Sequence, residues 1–248
     1  MKKQLLSILC LMLLLLPFGL KAQTVALATW NFTGVNSGPA TLDADATGNQ
    51  LASVPVLTRG ATAAPNGVVN NSFRTTGFQN NGIAITNTDY FQFQVTPATN
   101  TTISLTNIIA RFNGTATFFV SPGVESRFAY SKDGVNFTFF SAASTLVTAT
   151  NTPYTFDLAT TVPDDLKNIP AGTTITIRYY ASGRTTTGGW GFFSNGTAGL
   201  TLNGTIATVG SVDTTPPTTT TGFPKSANIT ASSVDLVTNI SEAGKTYY

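Results

Sequence analysis

Tyr90-Phe91-Gln92-Phe93-Gln94-Val95 alternates with period two, so that Phe91, Phe93 and Val95 share one face while Gln92 and Gln94 share the other. Successive side chains of a β-strand point to opposite sides, and this pattern is that of a strand with one face buried. Ile175, Ile177 and Tyr179 oppose Thr176 and Arg178 in the same way, and Leu200, Leu202 and Ile206 form another such face. From Ile103 to Phe112 the alternation slips. Ile103 and Leu105 keep one parity and Ile108, Ala110 and Phe112 the other, which predicts a β-bulge near Thr106-Asn107. Val25 to Phe32 is apolar on both faces, as in a strand inside a sandwich rather than at its edge.

Between these runs the turn chemistry is explicit. Asp133-Gly134 separates two aromatic runs and predicts a hairpin, because glycine takes positive φ at little cost. As a two-residue turn it pairs Tyr130 with Phe137 and Phe128 with Phe139, and a longer loop shifts that register. Pro163 to Asn168 carries the helical signal, a proline and acids suited to a first turn, and Ile169-Pro170 stops it before a second. The expected fold is all-β, an antiparallel β-sandwich of the jelly-roll kind over residues 23–207. Prolines and threonines then mark a linker over residues 208–222, and strand-like runs in residues 223–248 read as an incomplete immunoglobulin-like β domain.

Lys2 and Lys3 precede an apolar run from Leu5 to Leu16 that ends at Pro17, and Ala22 supplies a small residue before a cut. This is the layout of a secretory signal peptide over residues 1–22, and it predicts a secreted or cell-surface protein. No later run approaches the ~20 apolar residues of a membrane helix, so no insertion is expected after signal cleavage. The single cysteine, Cys10, falls within the leader, which leaves residues 23–248 without a cysteine and without a disulfide. Taking Lys2, Lys3 and Lys21 from the 13 basic residues leaves 10 against 11 acids, a net charge of −1. With no basic run to neutralise a phosphate backbone, nucleic acid is not an expected partner. Threonine makes up about a fifth of residues 23–248 and charged residues only 10% of the chain, so hydroxyls and amides must solubilise the surface. Such a surface suits hydroxyl-rich ligands.

The absence of histidine, and of cysteine beyond the leader, excludes Ser-His-Asp and Cys-His catalysis and the usual zinc ligand sets. Glycoside hydrolysis needs two carboxylates facing across a cleft. Beyond the leader the glutamates are Glu125 and Glu242, and most aspartates fall in expected turns, while Asp89 and Asp157 lie at or in strands. No catalytic residue is assigned, and a non-catalytic protein is expected. Asp43, Asp45, Thr47 and Asn49 place oxygen donors at alternate positions around Gly48, the chemistry a structural calcium prefers. Val54 stands where an EF-hand loop would put its bidentate glutamate, and an ordinary polar turn explains the same residues. No other cofactor is expected.

Trp190 stands among Gly188, Gly189 and Gly191. An exposed indole can stack on a pyranose while Arg184, Tyr180 and Asn195 take its hydroxyls, and a buried one plugs the sandwich core. Trp30, on a wholly apolar strand, reads as core.

Asn87 to Phe93, with Arg178 to Gly183 and Gly189 to Phe192, resembles an uncharacterised β-sandwich module of large secreted proteins of the Bacteroidota type. Asp213 to Pro217, with Phe223-Pro224-Lys225 and Glu242 to Tyr248, resembles the opening of an immunoglobulin-like repeat from such proteins. The resemblance implies secretion or surface display. Modules of this kind accompany enzymes, adhesins and carbohydrate-active proteins alike, so it implies architecture rather than activity. The functional expectation is a non-catalytic extracellular module that binds polysaccharide or matrix within a larger protein. Its rival is a structural spacer or adhesin stalk with no small ligand, and exposure of Trp190 separates the two.

Overall fold

The structure, a computed structural model, describes residues 23–36, 38–65, 69–158, 164–208 and 218–239. The expected leader and most of the expected linker lie outside the described residues. Numbered in chain order, one sheet holds β1 (Thr24–Trp30), β3 (Ala46–Thr47), β5 (Ser72–Thr75), β7 (Thr101–Gly114), β11 (Pro153–Asp157), β13 (Trp190–Phe193) and β14 (Leu200–Thr208). The other holds β2 (Leu42–Asp43), β4 (Val56–Arg59), β6 (Tyr90–Val95), β8 (Val124–Ser131), β9 (Thr138–Phe139), β10 (Thr145–Val147) and β12 (Ile175–Ser182). The first runs β3-β1-β14-β7-β13-β5 with β11 on β7, and the second β10-β8-β12-β6-β4-β2 with β9 on β8. Every pairing is antiparallel, and the chain changes sheet at most of its connections. The expected all-β antiparallel sandwich is borne out. Among the described residues the helical signal yields one 3-10 turn, Asp164–Leu166, and no helix is long and apolar enough to cross a membrane.

The core forms where the period-two faces meet. Phe91, Phe93 and Val95 of β6, with Ile175, Ile177 and Tyr179 of β12, are buried against Phe112, Phe192, Leu200 and Leu202 from the first sheet. The parity slip in β7 is a bulge: Asn107 pairs with Asn203 and Leu105 with Gly204, so Thr106 is left over. A second bulge lies between Ala26 and Ala28 of β1, where the alternation gives no sign of it. Leu27 and Ala28 are both buried while Ala26 is exposed, which makes the apparent two-sided apolarity a change of face rather than a strand buried on both.

The hairpin departs from its two-residue reading by one register step, with Tyr130 opposite Thr138 and Ala129 opposite Phe139. The Asp133 carboxylate accepts Val135 N–H at 2.8 Å, Asn136 N–H at 2.7 Å and Asn136 Nδ2 at 2.7 Å, and so holds a longer loop. A slip of one residue turns a strand's side chains over. Phe139, opposite Ala129 rather than Phe128, therefore lies on the outer face against Tyr180 and Arg127, and Phe140 takes the inner position on Tyr130.

The chain divides into two compact units after Val209. In the second, β15 (Lys225–Ala227) pairs with β16 (Asp235–Val237). Ile229, read as strand, sits in the turn between them and is exposed.

Candidate functional site

Trp190 is 0% exposed and belongs to the core. Phe112 and Phe119 each stack on its indole with ring centroids 5.6 Å away and planes within 11°. Its N–H donates to the Tyr179 hydroxyl at 2.9 Å, and that hydroxyl lies 2.8 Å from Ser126 Oγ. The flanking glycines, read as room for a ligand, are room for neighbouring chain. A Cβ at Gly191 would stand 2.2 Å from Phe73 O of β5, and the Gly189 carbonyl accepts both Arg74 Nη2 and Thr115 N at 2.8 Å. Of the two readings of Trp190, core packing is the one the structure supports, and its reading as a ligand-binding residue is corrected.

Its proposed companions do not gather around it. Tyr180 lies on the outward side of β12 but is fully buried, because the segment before β6 folds over it and Ile85 O accepts its hydroxyl at 3.2 Å. That burial pushes its ionisation up. Arg184, past the end of β12, donates from Nε to Gly123 O at 3.0 Å, and Asn195 is exposed in the turn after β13. The four residues do not form one site.

The residues read as calcium donors lie at the crossover between the two sheets. Asp43 lies in β2 opposite Val56 in one sheet and Thr47 in β3 opposite Ala28 in the other, while Asp45, between them, accepts the backbone N–H of Asn31. Among the described residues no three His, Cys, Asp or Glu side chains form a metal-binding group. Asp89 and Asp157, the carboxylates read at or in strands, also stand apart. Asp89, before β6, is buried and accepts Gln79 N at 3.1 Å, whereas Asp157 lies in β11 of the opposite sheet. Burial raises the Asp89 pKa against the pull of its backbone hydrogen bonds.

What the fold does assemble is the outer face of β12, β6 and β4. Paired residues of antiparallel strands share a face, so Ala129, Arg178, Gln92 and Thr58 form one row across four strands. Arg178 Nε donates to Gln92 Oε1 at 2.8 Å. Its guanidinium lies between two rings, 3.9 Å from the centroid of Tyr90 and 3.7 Å from that of Phe137. Phe137, which follows the hairpin loop, meets Arg178 on this face. A cation between two aromatic faces is attracted to both and loses little further freedom on binding.

Beside this stack opens a hollow of about 410 Å³ lined by Asn87, Thr88, Tyr90, Phe137 and Arg178 among others. That falls in the range of roughly 300–1,000 Å³ typical of small-ligand sites. A second hollow, about 250 Å³, is lined by Ser53, Thr58, Gln92 and Gln94. Gln92 thus borders one and braces the arginine of the other. The polar side of β6 and β12 is legible in the alternation, but Tyr90, Phe137 and Arg178 as a group are not, since their meeting needs the β6–β12 register and the hairpin loop together. No family model matches this chain, and no curated protein is significantly similar to it.

Proposed function

We propose that this protein is a non-catalytic, secreted or surface-displayed module that binds saccharide on the outer face of β4, β6 and β12. The observation that carries the reading is the open hollow in which a tyrosine, a phenylalanine, an arginine, an amide and threonine hydroxyls converge without a carboxylate. Sugars are recognised by an apolar ring against the C–H face and by planar amides and guanidinium on the hydroxyls. The leader-like residues 1–22 and the resemblance to secreted multidomain proteins support the location. The absence of histidine, and the placement of Asp89 before β6 while Asp157 lies in β11 of the other sheet, support binding without catalysis.

A spacer with no small ligand is the second reading, and burial of both Trp190 and Tyr180 favours it. A glycan array on residues 23–248 separates the two. Saccharide binding predicts a defined set of bound glycans, affinity weakened about fivefold or more by Phe137→Ala, which removes one aromatic contact, and affinity unchanged by Trp190→Phe. Silence across plant, algal and bacterial polysaccharides overturns the platform and leaves the spacer.

A further inference from the structure

We infer that the Arg178 hollow takes a negatively charged sugar, one bearing a uronate carboxylate or a sulfate ester. This rests on the reading of the outer face as a saccharide platform. Its ground is the way the arginines are used. The ion pairs among the described residues are both lysine to aspartate, Lys132 with Asp165 and Lys167 with Asp164. The other arginines donate to backbone carbonyls: Arg59 to Pro39 and Arg74, Arg74 to Gly189, Arg111 to Asn151, Arg127 to Ser141 and Ala142, Arg184 to Gly123. Arg178 departs from this pattern. Its Nε donates to a side-chain amide, Gln92, its guanidinium also interacts with the Tyr180 hydroxyl, and it stands between two rings at the wall of an open hollow.

A carbonyl-bound arginine is a structural tie. One that is clamped by rings, half-buried and without a carboxylate partner among the described residues presents a fixed positive fork toward the hollow. The guanidinium plane matches a carboxylate or a sulfate through paired hydrogen bonds, and an ionised partner roughly doubles their strength. The residues lining the hollow include no acid to compete. Asp89, next to Tyr90 in the chain, is buried and held by Gln79 N–H rather than by Arg178. A neutral hexose would leave this cation with hydroxyls alone, whereas an acidic one neutralises it.

Matched pairs of glycans test the charge separately from the ring. Isothermal titration of residues 23–248 against polygalacturonate and its methyl ester isolates the carboxylate. A sulfated galactan and its desulfated form isolate the sulfate. The acidic member of at least one pair is expected to bind about tenfold or more tightly at low salt, the effect of a charge-assisted hydrogen bond pair, with the preference shrinking as salt screens it. Arg178→Gln should erase that preference and Arg178→Lys keep part of it, both variants retaining the wild-type near-ultraviolet circular dichroism of the aromatic core. Which pair shows the preference identifies the anion. Equal affinity within both pairs, or a preference that survives Arg178→Gln, overturns the acidic-sugar inference while the platform stands. Absence of binding to all four glycans, together with a silent array, overturns the platform itself and the inference with it.

Discussion

At Trp190 one N–H satisfies the buried hydroxyl of Tyr179, whose own ionisation burial pushes well above the ordinary phenol value. Trp190→Phe keeps an aromatic ring but deletes that donor, so stability should fall by about 1–3 kcal/mol. Trp190→Ala, which also opens a cavity, should lose about 3–5 kcal/mol. Both are read as shifts of the urea midpoint, and an unmoved midpoint for Trp190→Phe would place the indole outside the core. Asp133 offers a pH test with a definite sign. Bonds from the Asn136 side chain first, then from the Asn136 and Val135 N–H groups, hold its carboxyl well below the ordinary 3.8. A depressed carboxyl stabilises above its unfolded pKa and loses that contribution as pH falls through its folded one. Asp133→Asn should therefore lower the melting temperature near pH 7, with the gap to wild type closing as the pH drops below about 4. A gap that stays constant down to pH 2 would assign the effect to loop geometry rather than charge. Residue identity alone did not reveal the role of Trp190, because glycines beside a tryptophan look the same whether the space serves a ligand or, as here, β5.

Among the elements, β6 and β12 were legible from alternation because each has one face wholly in the core. The β7 bulge was legible because it breaks that alternation in mid-strand. The bulge in β1 was hidden, since small apolar residues such as Ala26 and Ala28 tolerate either face and leave no mark when parity changes. The hairpin register was hidden for a different reason. Asp133-Gly134 permits a tight turn, and only the hydrogen bonds that Asp133 makes to Val135 and Asn136 select the longer loop. The candidate site inherits that gap, because Phe137 reaches Arg178 by way of this loop. The crossover from β2 to β3 carries its own prediction. Asp45 ties the chain through Asn31 N–H, so Asp45→Ala should cost about 1–2 kcal/mol, the loss of one charge-assisted hydrogen bond. Chelation with EDTA should leave the melting temperature of the wild-type protein unchanged. A fall in chelator, abolished by Asp43→Ala, would show that the oxygen donors close on calcium.

For the whole molecule, the first unit carries a continuous aromatic core while the second, among its described residues, pairs β15 with β16 and leaves Ile229, Val234 and Leu236 exposed. Removal of residues 210–248 should shift the melting temperature of the sandwich by less than about 2 °C, the size of a sub-kcal/mol change in a domain of this length. A larger fall would make the two units energetically one. The sandwich itself separates two kinds of aromatic surface. Trp190, Phe112 and Tyr179 face inward and hold the sheets together, whereas Tyr90 and Phe137 clamp Arg178 on the outside. Side-chain nuclear magnetic resonance resolves the two directly, through the Nε–H signals of Arg178, Trp190 and Trp30 in ¹⁵N-labelled protein titrated with a glycan that the array selects. Binding on the outer sheet face predicts a saturable shift of the Arg178 signal while both indole signals stay in place. Shifts at the Trp190 indole with Arg178 unmoved would contradict it.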